Sequence, residues 1–141
     1  LPRVAAPALE MPLEPAAPSE PAPRVILLVD DDDAVRRSLR RLLRSRKIEV
    51  LQAASGAEAL EILGADPGAV GGLVTDVRMP EMTGPELANR ARALRADIPV
   101  LFITGHVTPK LLEELARDGA RVVEKPFEPD QLLREVEEML E

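Results

Sequence analysis

Val25-Ile26-Leu27-Leu28-Val29-Asp30-Asp31-Asp32-Asp33 is the stretch from which the fold can be read. Its aliphatic run has no polar alternation, which predicts a strand buried on both faces. The acids that stop the run lead into a different pattern. From Asp33 to Arg46, Val35, Leu39, Leu42, Leu43 and Arg46 fall at helical spacing, and Asp33 is placed to cap the first turn. A buried strand, an acidic turn and an amphipathic helix follow one another without a gap.

That unit recurs to the C-terminus. Ile48 to Ala53 reads as a second strand, Gly56 to Leu63 as an Ala-rich helix opened by Ser55, and Asp66-Pro67-Gly68 as a turn. Gly72 to Thr75 makes a third strand, and Gly84-Pro85 precedes a helix carrying Leu87, Ala91 and Leu94. Pro99 to Ile103 is a fourth strand, followed by a helix from about Thr108 to Asp118 that ends at Gly119. Arg121 to Glu124 is the fifth, and Pro129 opens a last helix whose Leu132, Leu133, Val136, Met139 and Leu140 form an apolar stripe. Five strands alternating with five helices imply right-handed crossovers and a doubly wound α/β fold, its parallel sheet covered on both faces.

Upstream, residues 1–23 are rich in proline, interleaved with Ala and Glu, without hydrophobic periodicity. Proline fixes φ and favours an extended path, so the segment reads as a linker or tail, with the folded domain at 24–141. Composition narrows the chemistry. No cysteine means no disulfide, thiolate metal site or cysteine nucleophile, and oxygen chemistry remains. A net charge of -7, with two Phe and neither Trp nor Tyr, argues against a nucleic-acid surface, which needs clustered cations or stacking aromatics. The apolar runs are too short to cross a bilayer, and no membrane contact is expected from this segment.

In a doubly wound sheet the functional crevice lies beyond the carboxyl ends of the strands. Asp30 to Asp33 follow the first strand, Asp76 the third, Thr104 the fourth and Lys125 the fifth. Were the first and third strands neighbours, Asp30, Asp31 and Asp76 would crowd together, and like charges at that range oppose folding unless a cation joins them. All-oxygen ligands with positions left for water suit Mg²⁺, with Mn²⁺ able to substitute. Asp32 and Asp33 are better read as helix-capping charges. His106 lacks a second nitrogen or thiolate ligand and reads as a loop residue; Met79 and Met82 read as loop packing.

Four separated segments, Val25 to Asp32, Leu73 to Gly84, Phe102 to Gly105 and Glu124-Lys125-Pro126-Phe127, together resemble the receiver family of two-component response regulators. The resemblance implies a (βα)5 flavodoxin-like three-layer sandwich with strand order 2-1-3-4-5. It also implies Asp76 as phosphoacceptor, Asp31 as a direct metal ligand and Asp30 as a ligand through water. The Arg78 backbone carbonyl would complete the protein's share of the metal shell, and Thr104 and Lys125 would contact phosphoryl oxygens. Independently of the family, a carboxylate attacking a phosphoryl donor needs positive charge near the equatorial oxygens.

Two departures stand out. Where many relatives carry an aromatic three residues before the lysine, this chain has Val122, and the interval from Thr104 to Lys125 looks about one residue short of theirs. An aromatic switch is therefore not expected, which suits a domain relaying phosphate. Leu1-Pro2-Arg3-Val4 resembles the tail of a histidine-kinase ATP-binding domain, so the implied context is a hybrid histidine kinase with this domain in the cytoplasm. Its partners would be a kinase core, in cis or in trans, and a histidine phosphotransfer protein. A single-domain response regulator and a pseudo-receiver without phosphotransfer are the alternatives.

Overall fold

The computed structural model describes residues 23–106, 108–117 and 119–141. Its parallel sheet comprises β1 (Val25–Val29), β2 (Glu49–Ala53), β3 (Gly72–Asp76), β4 (Val100–Thr104) and β5 (Arg121–Glu124). The helices are α1 (Asp33–Arg44), α2 (Gly56–Ala65), α3 (Gly84–Leu94), α4 (Pro109–Ala116) and α5 (Pro129–Met139). The strands lie in the order β2-β1-β3-β4-β5, every neighbouring pair parallel. This is the doubly wound sandwich expected from the alternation. The proline-rich segment before Pro23 and the predicted helix end at Asp118 lie outside the described residues.

The unbroken apolar run of β1 feeds two cores. Leu27 and Val29 point into a layer with Ala59 and Leu63 of α2, Leu87, Ala88 and Ala91 of α3, and Leu115 of α4. Ile26 and Leu28 point the other way, onto Leu39 and Leu43 of α1 and Leu132, Leu133 and Val136 of α5. Alternate side chains of a strand leave opposite faces, so a strand covered on both sides has no position for a charged residue before its end, and the buried Thr75 of β3 donates its hydroxyl to the Asp76 carbonyl at 2.9 Å. Each fully buried aliphatic side chain contributes roughly 1.5–3 kcal/mol.

Some boundaries differ from those read in the sequence. Asp32, not Asp33, caps α1: its carboxylate accepts from the Ala34 N–H at 2.9 Å and the Val35 N–H at 3.3 Å. Asp33 is one residue inside the helix and pairs with Arg36 instead. The helix stops at Arg44 and leaves Arg46 outside, because Ser45 caps it and Lys47 turns the chain with φ 62°. Leu94 is 46% exposed and does not join the core. A short 3₁₀ helix, Pro67–Ala69, occupies the predicted turn. Ser55, Thr83 and Thr108 cap α2, α3 and α4, Thr83 forming a reciprocal capping box with Glu86.

Candidate functional site

Strand order builds the site. Because β1 and β3 are hydrogen-bonded neighbours, with Val29 opposite Thr75, the residues that end them arrive side by side. One ligand oxygen each from Asp30, Asp31 and Asp76 lie within 4.8 Å of one another. On the other side of β3, Thr104 closes β4 opposite Glu124, and Lys125 comes next. The Lys125 ammonium reaches to 3.9 Å from Asp76 Oδ2, and the Lys125 N–H donates to the Thr104 carbonyl at 2.8 Å. Asp76, Arg78, Thr104, Gly105, His106 and Lys125 line one open cavity above these strand ends. Asp76 and Thr104 are the last residues of their strands, whereas the sequence reading placed each just after one.

Burial differs sharply among the carboxylates. Asp30 is 4% exposed, Asp76 is half-buried and Asp31 lies open. Burial holds the Asp30 carboxyl above the usual carboxylate range, and Asp76 and Asp31 add to that push; the Asp32 N–H and Lys125 oppose it. The Asp32 N–H donates to Asp30 Oδ1 at 2.9 Å, and Arg36 donates to the Asp30 carbonyl at 2.5 Å. Arg36 is a residue that sequence reasoning missed. Its spacing of three from Asp33 is the signal, since on a helix that places the guanidinium beside the acidic turn.

Gly84 keeps the loop after Asp76 in place. Its N–H donates to the Val77 carbonyl at 2.9 Å, and a Cβ on it would lie 2.4 Å from the Asp76 carbonyl oxygen. Only glycine allows α3 to start this close to the end of β3. Within the loop, the Arg78 N–H points to Asp76 Oδ1 at 3.4 Å. Met82 lies against Gly56, and Met79 sulfur lies 3.9 Å from the Thr75 hydroxyl, so both methionines are packing residues here. The Thr104 hydroxyl accepts from the His106 N–H at 3.2 Å and donates to the His106 carbonyl at 3.3 Å. His106 contributes through its backbone. Val122 is half-buried against the core beneath α4.

The donor set suits a hard divalent cation. It consists of three carboxylates without nitrogen or sulfur, and the buried one has its ionised form disfavoured until positive charge arrives. With a carboxylate, an ammonium and a hydroxyl around one cavity, the arrangement is able to attack an electrophile and stabilise negative charge on the group being transferred.

Comparison with known proteins points the same way. A family model described as the response regulator receiver domain matches residues 26–137. The chain is 44% identical over 117 residues to the sensor kinase CckA of Brucella abortus (strain 2308), covering 82% of this chain and 12% of that protein. It is 40% identical over 116 residues to the response regulator receiver protein CpdR of the same organism, covering 82% of this chain and 95% of that one. Among solved structures, the receiver domain from the hybrid histidine kinase CckA superposes with a TM-score of 0.71 at 39% identity, covering 83% of this chain and 99% of that one.

Proposed function

This chain belongs to the response regulator receiver domain family of two-component signalling, and from that membership we propose that Asp76 accepts a phosphoryl group with the help of a divalent cation. The observation that carries the reading is the convergence of Asp30, Asp31 and Asp76 within 4.8 Å, with the Lys125 ammonium 3.9 Å from the acceptor.

An Asp76 carboxylate oxygen attacks phosphorus in line, and the bond to the donor's leaving atom breaks with its electron pair going to that atom. The product is an acyl phosphate. Water later attacks the same phosphorus, releasing inorganic phosphate and restoring the carboxylate. Lys125 and Thr104 meet phosphoryl oxygens as charge spreads over them, Thr104 once its hydroxyl turns from His106. Asp30, Asp31 and Asp76, with the Arg78 carbonyl, would hold Mg²⁺ or Mn²⁺, which supplies positive charge at the phosphoryl oxygens when bound. Asp30 is the ligand we assign to act through water.

We further propose that the domain, residues 24–141, works within a hybrid histidine kinase in the cytoplasm, with 1–23 as a linker. It would receive phosphate from the kinase core, in cis or in trans, and exchange it with a histidine phosphotransfer protein. The 44% identity to the sensor kinase CckA supports this, although the chain spans only 12% of that protein. A second reading, a single-domain response regulator that binds a target when phosphorylated, is favoured by the match to 95% of CpdR. A kinase core encoded upstream of Leu1 would decide between them. The full carboxylate, lysine and threonine set speaks against a receiver-like module without phosphotransfer.

Intact mass tests the chemistry. Incubated with acetyl phosphate and Mg²⁺, the wild type should gain one phosphoryl group, and Asp76→Asn or wild type with excess chelator should gain none. Equal labelling of Asp76→Asn would show that the acceptor lies elsewhere.

A further inference from the structure

Between α2 and α3 runs an open groove. Leu60, Glu61 and Gly64 of α2 form one wall, and Arg90 and Leu94 of α3 the other. Both sets recur at helical spacing, so each helix presents one continuous line of residues to the groove. Leu94 is 46% exposed, although Leu87, Ala88 and Ala91 of the same helix are buried. A single exposed leucine is ordinary, and its neighbours are what make this one informative.

Gly64 is the first of them. A Cβ built on it would meet nothing within 4 Å. The domain's own packing therefore does not require glycine there, although glycine is a weaker helix former than alanine. What the bare backbone permits is close approach from outside. Glu61 and Arg90 are the second and third. Both are exposed, and among the described residues neither has an ion-pair partner, although they line the same groove. An apolar knob, an open hole and one charge of each sign lie on a single patch. Such a patch is complementary to itself, which is what an interface about a two-fold axis demands.

We propose that the α2–α3 groove is a contact between two copies of this chain, in which Leu94 of each copy enters the other's groove beside Gly64 and each Glu61 faces the partner's Arg90. The groove shares no residue with the cavity above Asp76, so pairing leaves both cavities uncovered and does not depend on the chemistry there. The contact is small, which makes the dimer weak and reversible. Its crossed charge pairs fix the register and disfavour other partners.

Sedimentation equilibrium of the full chain, from roughly 1 µM to 1 mM, reads the association. Wild type should pass from monomer to dimer across that span. Leu94→Asp should weaken the dimer about tenfold or more. Glu61→Arg and Arg90→Glu should each weaken it, because each sets like charges against one another, and the double variant Glu61→Arg with Arg90→Glu should recover wild-type association. Gly64→Leu should abolish pairing by filling the hole while leaving the Tm of the dilute monomer unchanged or higher, which separates loss of the contact from loss of the fold. A wild type that stays monomeric throughout overturns the proposal, as does a dimer that survives both Leu94→Asp and Gly64→Leu, or a double charge variant no stronger than the single ones. A monomer in which deletion of residues 1–22 shifts the backbone amide resonances of α2 and α3 would overturn it too, by showing that the chain's own proline-rich segment fills the groove.

Discussion

Asp30 follows a strand whose side chains are nearly all sealed from water, and it is itself 4% exposed. Burial, reinforced by Asp76 and Asp31, raises its pKa, so the folded chain binds this proton more tightly than the unfolded chain does. Stability from the protonated group is then fully present below the unfolded pKa and is lost as pH rises through the folded value. At neutral pH without metal, the ionised group works against folding. Asp30→Asn, which keeps an oxygen to accept the Asp32 N–H, should raise the Tm of the metal-free protein by a few degrees and flatten its rise toward acid pH. Added Mg²⁺ should stabilise the wild type more than the variant; thermal unfolding across pH, with and without the cation, reads both effects. A lower metal-free Tm for the variant would mean that the buried carboxylate is compensated from within the protein.

At the scale of elements, the site depends on where strands stop and helices begin. The junction of β3, its loop and α3 has no spare room, since a Cβ at Gly84 would meet the Asp76 carbonyl oxygen at 2.4 Å and the Val77 Cα at 3.0 Å. Backbone atoms cannot rotate away as a side-chain tip can. Gly84→Ala should therefore cost about 1–3 kcal/mol in urea unfolding and slow labelling of Asp76, because the strain is relieved by displacing the acceptor loop. Unchanged labelling at reduced stability would place the relief in α3 instead. Across the sheet, Arg121 holds β5 to α5 through Glu135 at 2.7 Å and Glu138 at 2.9 Å, a tether that keeps the Lys125 loop registered against α5.

For the whole molecule, the two cores on either side of one sheet make folding cooperative, because no strand in the centre can leave without uncovering both. Leu101, central in β4 and wholly buried, is the position where that shows. Leu101→Ala should destabilise the domain by roughly 2–5 kcal/mol and steepen no single local transition, so circular dichroism and amide exchange should report one common unfolding event. A loss confined to the α5 side would mean that the two layers unfold separately.

Much was determined by the order of residues alone. The unbroken aliphatic run of β1 required burial on both faces, the apolar positions of α1 and α5 required a surface to cover, and their alternation left a doubly wound parallel sheet as the arrangement to expect. That pattern also placed Asp30, Asp31, Asp76, Thr104 and Lys125 at strand ends, since β1, β3 and β4 carry no charged residue before their last position. Which acid caps α1 was not legible, because Asp32 and Asp33 offer the same carboxylate one residue apart and only backbone dihedrals choose between them. Leu94 matched the helical period yet stayed exposed, because period places a residue on a face but does not say whether a neighbour covers it. The strand order was implied by the family resemblance and not by periodicity, and the structure has it; tertiary structure alone decided how closely the three carboxylates approach, the burial that sets Asp30 apart from Asp31, and the clearance that makes Gly84 irreplaceable. Each of these depends on distances between segments far apart in the chain, and periodicity within a segment carries no information about such distances.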